Sequence, residues 1–182
     1  FTDSGLPMAE VNQRLEVGPL LRQTGSSHYN GIVSKQHYDF TGAYAYVAVV
    51  QAPATGTTAD AMFTVGADAN NYYRIYEEAG VLFVQKRLGA GSKVTMWSGA
   101  YDGVQQRYWR IRHEAATGSV VFETAADNSG APGVWVERWR EAWSSGFIPV
   151  GSVLFEVKGG TWQAESGVPG KVIFDDFKAA KP

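Results

Sequence analysis

Apolar and polar residues alternate with period two along most of the chain, the repeat of a strand that buries one face. This pattern predicts strands over 11–17, 31–37, 43–51, 61–67, 71–77, 81–87, 93–98, 107–113, 119–125, 134–140, 150–157 and 171–178. Between them stand turn sequences such as QTGSS, DFTG, GADANN, EEAG, EAATG, DNSGAPG and ESGVPG, where glycine, asparagine, aspartate and proline supply the backbone angles of tight turns. Short strands recurring at roughly ten-residue intervals are the signature of an all-β sandwich. Helical periodicity is scarce. VERWREAW (136–143) would fit a helical turn, but Trp135, Trp139 and Trp143 also share one face of an extended strand, with Glu137 and Glu141 interleaved. The prediction there is a strand leading into a loop. The expected architecture is a two-sheet antiparallel β-sandwich of jelly-roll type, one domain over residues 1–182.

A weak internal echo sharpens the pattern. YYRIYEEAGVLFV (72–84) and YWRIRHEAATGSVVFE (108–123) share a layout: an aromatic pair, Arg-Ile, a turn ending in glycine, then an apolar strand. Two similar β-hairpins are predicted, since the period is too irregular for a propeller or solenoid. Alternation assigns their faces. Tyr73 and Ile75 share one face of the first hairpin, and Trp109 and Ile111 one face of the second; these are the core candidates. Tyr72, Arg74 and Tyr76 share the opposite face of the first, and Tyr108, Arg110 and Arg112 that of the second.

Composition narrows the function classes. Of 182 residues, 45% are hydrophobic and 13% aromatic, too many for a disordered chain. The net charge of −2 argues against a nucleic-acid partner, which calls for a basic excess. No cysteine is present, which excludes disulfides, thiolate metal sites and cysteine nucleophiles. The longest apolar run, AYAYVAVV (43–50), is too short for a membrane-spanning helix, so no membrane insertion is expected. No signal peptide is visible, and the abrupt start at Phe1 suggests a processed or excised domain with other domains in a longer parent chain.

The chemistry-bearing residues are sparse. No Gly-x-Ser-x-Gly elbow, phosphate loop or dinucleotide fingerprint occurs. GSSH (25–28) reads as a polar turn, and His28, His37 and His113 lack metal-ligand spacing. Two stripes fit a sugar site, where aromatic faces stack on pyranose rings and planar polar side chains fix hydroxyls. One comprises Tyr72, Arg74, Tyr76, Tyr108, Arg110 and Arg112. The other is the tryptophan ladder, with Trp139 at its centre. Each has a structural alternative. The arginines can pair with a cross-strand carboxylate, Glu123 being the nearest candidate, or stack on tyrosine. The tryptophans can fill the core or cover an end of the sandwich. Trp97 and Trp162 stand alone and are expected to be packing residues.

The stretch RYWRIRHEAATGSVVFETAADNSGAPGVWVERW resembles the central hairpin of concanavalin A-like β-sandwich domains. NNYYRIYEEAGVLFV and the closing GKVIFDDFKAA are similar to other parts of that pattern, and the resemblance runs from about Val11 to Ala179. It implies two antiparallel sheets, one of them curved. Members include lectins, laminin-G-like adhesion domains, carbohydrate-binding modules and several glycoside hydrolases. The laminarinase-type hydrolases carry Glu-x-Asp-x-x-Glu on one strand; no Glu-x-Asp occurs in this chain. Jelly-roll modules often hold a structural calcium near paired termini, which makes Asp175 and Asp176 candidate ligands, although calcium needs six to eight oxygens. The alternative is that one aspartate bonds backbone or an arginine. The reading is a noncatalytic glycan-binding or adhesion module of a bacterial secreted or cell-surface protein. It requires no cofactor, and its partner would be a polysaccharide or glycoconjugate. Two rivals stand beside it: a glycoside hydrolase or lyase with an atypical carboxylate pair, and a structural spacer without a ligand.

Overall fold

The structure, a computed structural model, describes residues 5–21, 27–165 and 167–181. Gly25 and Ser26 of the GSSH stretch lie outside the described residues. Thirteen strands follow in chain order: β1 Met8–Val11, β2 Arg14–Val17, β3 His28–Val33, β4 Tyr44–Gln51, β5 Ala59–Asp68, β6 Asn71–Glu78, β7 Val81–Arg87, β8 Val94–Ala100, β9 Tyr108–Glu114, β10 Ser119–Ala125, β11 Val136–Ala142, β12 Leu154–Thr161 and β13 Val172–Ala180. No described helix is long and apolar enough to cross a membrane. The strands form two antiparallel sheets, one of seven strands in the order β1-β2-β13-β4-β9-β10-β11 and one of six in the order β3-β12-β5-β6-β7-β8. The all-β sandwich read from alternation is therefore the fold.

Three predicted strands are corrected. The run 11–17 is not one strand: β1 and β2 form a hairpin whose two-residue loop, Asn12-Gln13, has φ of 51° and 65°. That left-handed conformation turns the chain back on itself. The predicted strand 31–37 lies earlier, at β3, and 150–157 lies later, at β12.

The core sits between the sheets and is filled by one parity of each strand. Phe63, Tyr73, Ile75, Leu82 and Val84 enter it from the six-stranded sheet, and Val47, Trp109, Ile111, Val120 and Phe122 from the seven-stranded one. Rings lock the two layers: Tyr73 meets Phe122 edge-on at 5.9 Å and Trp143 at 5.0 Å. Trp109 is fully buried, and its indole N–H donates to the Gln106 carbonyl at 2.9 Å. Each such side chain stabilises the sandwich by about 2–3 kcal/mol through apolar area removed from water, so the inward assignment of Trp109/Ile111 and Tyr73/Ile75 defines both layers. The two echoing hairpins are β6–β7 and β9–β10. They stand in opposite sheets, so their outward faces point away from one another.

Candidate functional site

The six stripe residues therefore divide into two groups of three. Tyr72, Arg74 and Tyr76 lie on the outer face of the six-stranded sheet, and Tyr108, Arg110 and Arg112 on the outer face of the seven-stranded sheet.

On the six-stranded sheet, β6 is flanked by β5 and β7, and β12 and β3 continue beyond β5. A groove of about 500 Å³ opens across β3, β12, β5 and β6, and Tyr29, Thr64, Gly66, Tyr72, Arg74 and Lys158 are among the residues that line it. Gly66 lets β5 and β6 approach closely at one end of it, since a Cβ there would fall 2.5 Å from the Asn71 carbonyl oxygen and 2.6 Å from the Tyr72 Cβ. Arg74 is 5% exposed. Its guanidinium lies 4.3 Å from the Tyr72 ring centre, and its Nε donates to Thr64 Oγ1 at 3.1 Å. Tyr76 stacks on Phe83 of β7 at 4.7 Å with an interplanar angle of 14°. Its hydroxyl oxygen accepts from Gln85 Nε2 at 3.4 Å.

At the β3 side the Tyr29 hydroxyl donates to Asp60 Oδ2 at 2.9 Å. Asp60 is buried, and its Oδ1 has no hydrogen-bond partner among the described residues. Burial pushes this carboxyl well above the usual range, more than the Tyr29 hydrogen bond draws it down. Burial, with the carboxyl beside it, likewise raises Tyr29. Lys158 lies 5.5 Å from the Tyr29 ring centre and pairs with Glu156 at 3.0 Å. Chemically the face offers aromatic surface, a planar guanidinium and neutral or paired acids, the mix that orients a polyhydroxylated ring.

The seven-stranded face is arranged differently. Tyr108 is buried, and its hydroxyl lies 3.1 Å from Asp127 Oδ1 and 3.3 Å from Asp176 Oδ2, donating to either. Burial, and next Asp127, raise its pKa. Arg110 Nε meets Glu123 Oε2 at 2.6 Å while its guanidinium lies 4.0 Å from the Trp135 ring centre. Arg112 shares the same carboxylate at 3.2 Å and pairs with Glu114 at 2.9 Å. Arg140 extends the chain, bonding Glu114 and, at 2.8 Å, Glu137. Hydrogen bonds from Thr117, then from Arg112 and Arg140, hold Glu114 down at about 2. The anticipated Glu123 partner thus serves both arginines of the RYWRIRHE strand. They have acid partners, and Tyr108 is enclosed.

The tryptophan ladder does not exist as predicted. The β10–β11 register shifts between Phe122 and Glu123: Glu123 faces Glu137, but Phe122 faces Trp139. Arg138 is the extra residue of this bulge, and one extra residue exchanges the two faces of a strand. Trp135 therefore packs outside with Tyr46 at 5.8 Å. Trp139 turns inward at the sheet edge, 37% exposed, and Trp143 enters the core. Trp97 packs against the core as expected; Trp162 is 49% exposed and donates its indole N–H to Glu78.

A second bulge separates Asp175 from Asp176. The β13–β4 register shifts between Asp175 and Lys178, and Asp176 has φ of 48°. Phe174 is buried in the core, whereas Asp176 reaches Tyr108 outside, so the two do not share a face as simple alternation predicts. Asp175 pairs with Arg14 at 2.9 Å and accepts the Asp176 amide. Among the described residues no three His, Asp or Glu side chains converge on a cation position.

Sequence reading missed Tyr29, Asp60, Thr64, Phe83, Gln85 and Lys158. The outward parity of Thr64, Phe83 and Gln85 was readable within predicted strands, whereas Tyr29, Asp60 and Lys158 lie in β3, β5 and β12 beyond the predicted ranges 31–37, 61–67 and 150–157. What brings them together is the pairing of β12 with β3 and β5, which links segments distant in the chain.

No protein-family model matches the chain, and no curated protein matches its sequence. Solved structures do match in shape. The potassium-bound carbohydrate recognition domain of Emp46p superposes with a TM-score of 0.65 at 8% identity, covering 97% of this chain and 86% of that one. The exoplasmic/lumenal domain of VIP36 in its Ca2+/Man3GlcNAc-bound form gives 0.59 at 11% identity, covering 96% and 81%. A prokaryotic β-1,3-1,4-glucanase (lichenase) derived from a mouse hindgut metagenome gives 0.54 at 10% identity, covering 96% and 83%. At such identities the likeness is one of architecture: two antiparallel sheets around one aromatic core, the concanavalin A-like β-sandwich fold.

Proposed function

We propose that the chain, as a single domain over 1–182, is a noncatalytic glycan-binding module of a bacterial secreted or cell-surface protein. In this reading a polysaccharide or glycoconjugate lies in the groove of the six-stranded sheet. Tyr72, Arg74 and Tyr76 belong to the binding surface, joined by Tyr29 and Lys158. Tyr108, Arg110 and Arg112 hold the opposite sheet together, Trp139 covers the sandwich edge, and Asp175 and Asp176 fasten β13 to its surroundings. The reading calls for no metal ion. The observation that carries it is the groove itself, where a buried guanidinium, with no acid partner among the described residues, lies beside aromatic rings. The carbohydrate-bound or carbohydrate-recognising domains among the similar structures support it. The noncatalytic part is supported by the state of the acids on that face: Glu156 is paired with Lys158, and Asp60 is buried against Tyr29.

The test is a glycan array or affinity electrophoresis panel with the parent protein and the variants Arg74→Ala, Tyr76→Ala and Arg110→Ala. The first two should weaken binding by about tenfold or more, the scale of one lost charged hydrogen bond or ring contact. Arg110→Ala should leave affinity unchanged. No binding by the parent, or a loss confined to Arg110→Ala, overturns the assignment.

A further inference from the structure

Two arginine arrangements on one molecule invite comparison. Arg110 and Arg112 share the Glu123 carboxylate on the seven-stranded face. Arg74 is more deeply buried than either, yet its only hydrogen-bond acceptor among the described residues is the neutral Thr64 hydroxyl. A guanidinium does not deprotonate in a protein, so its charge remains inside that wall of the groove. Burying a cation without a counter-charge is costly, and a buried charge is ordinarily paired.

The surroundings do not cancel it. Lys158 is balanced by Glu156. Arg87, one strand over from Arg74 at the Tyr72 end, donates to the carbonyls of Gly91 and Ala69. Lys93, from the loop between β7 and β8, is held below its usual pKa by desolvation of its ammonium and then by the positive charge of Arg74, with Asp60 acting in the opposite sense. Of the acids, Asp68 at the rim is hydrogen-bonded by Asn70 and Asn71, neutral donors that favour its charged form beside Arg87, and Glu78, at the other end of β6, accepts from the Trp162 indole. Asp60 is buried and has no salt-bridge partner among the described residues; burial raises its carboxyl well above the usual range, with Arg74 and Lys158 acting in the opposite sense from a distance. Asp68 and Glu156 thus offset Arg87 and Lys158, while among the described residues no carboxylate contacts the Arg74 guanidinium.

We propose that the groove selects acidic saccharides, with the carboxylate of a uronate ring seated on the free fork of Arg74 and the sugar ring lying along the Tyr72 and Tyr76 side. This rests on the glycan-binding reading above and narrows it to a substrate class. The planar, two-toothed guanidinium matches the planar carboxylate in geometry as well as charge. Gly66, on the neighbouring strand opposite Tyr72, adds no side chain to that wall of the groove.

The experiment is isothermal titration of the whole protein with three probes: a galacturonate oligomer, the same oligomer with its carboxyls reduced to alcohols, and a dextran sulfate oligomer. The uronate should bind at least about tenfold more tightly than its reduced counterpart, the scale of a charge-assisted hydrogen bond, and should weaken with added salt. Arg74→Lys keeps the charge but loses the fork and should remove most of that preference. Lys93→Ala, a change in a loop outside the core, should weaken uronate binding severalfold without changing thermal unfolding. Equal binding of the uronate and reduced oligomers overturns the acidic preference while leaving the glycan reading intact. Preference for the sulfate polymer overturns the uronate assignment. Absence of binding across these probes together with a neutral-glycan array overturns both readings.

Discussion

Glu77 is a carboxyl held inside the sandwich. Its Oε1 accepts the Gly80 amide at 2.7 Å, while Oε2 has no hydrogen-bond partner among the described residues. Burial raises its pKa from 4.5 to about 7. Between those values the folded chain keeps a proton that the unfolded chain has released, so stability falls as pH rises through that window and levels off above it. The loss from this residue amounts to about 3 kcal/mol. Urea unfolding at pH 5, 6, 7 and 8 should show the decline, and Glu77→Gln should flatten it; an unchanged slope in the variant would refute this. Asp60, also raised, adds a decline of the same sign that the variant retains. Glu123 makes the contrasting case. It is nearly buried and holds two arginines, so Glu123→Ala strands two half-enclosed cations and should cost about 3 kcal/mol. Arg140→Ala, at an exposed pair, should cost less than about 1 kcal/mol. Equal losses in the two variants would mean that the ion-pair chain has no buried anchor. Residue identities alone nominated Glu123 as the partner; the sharing of one carboxylate by two arginines required the β9–β10 register.

Elements were legible wherever alternation ran unbroken, and misread wherever the backbone departed from it by one or two residues. The β1–β2 turn shows the first kind of departure. Asn12 tolerates a left-handed conformation well, but Gln13 does not, and its φ of 65° carries strain that a glycine would not feel. Gln13→Gly should therefore raise stability, by up to about 1 kcal/mol, read as a higher unfolding midpoint in urea. A lower midpoint would show that the entropy of the unfolded glycine outweighs the relieved strain. The β11 bulge shows the second kind. Nothing in VERWREAW marks Arg138 as the extra residue, yet that residue sends Trp135 outward and Trp139 inward. The same physics divides Asp175 from Asp176. Parity reasoning fails at a bulge because side-chain direction depends on a count of residues, and a bulge changes the count.

At the scale of the molecule, the last strand sits in the middle of a sheet. β13 lies between β2 and β4, and Val172 and Phe174 point into the core. Removing residues 172–182 would open two ladders and expose the aromatic interior. The truncated chain should lose cooperative unfolding and amide dispersion in NMR spectra; a native-like spectrum would show that the seven-stranded sheet does not depend on its C-terminal strand. The same long-range closure builds the groove. β12 arrives from late in the chain to pair with β3 and β5, carrying Lys158 and Glu156 to the side of Arg74 and Tyr29.

The sequence by itself determined the two-sheet all-β class, most strand positions and the inward side of Trp109, Ile111, Tyr73 and Ile75, because these follow from local alternation and the free energy of burying apolar faces. Only the tertiary structure decided that the two arginine-bearing hairpins lie on opposite outer faces, that Arg110 and Arg112 share an acid while Arg74 bonds a neutral hydroxyl, and which strands wall the groove. Those outcomes depend on which distant strands pair and in what register, and the free-energy differences that choose among pairings belong to the assembled core rather than to any one stretch of chain.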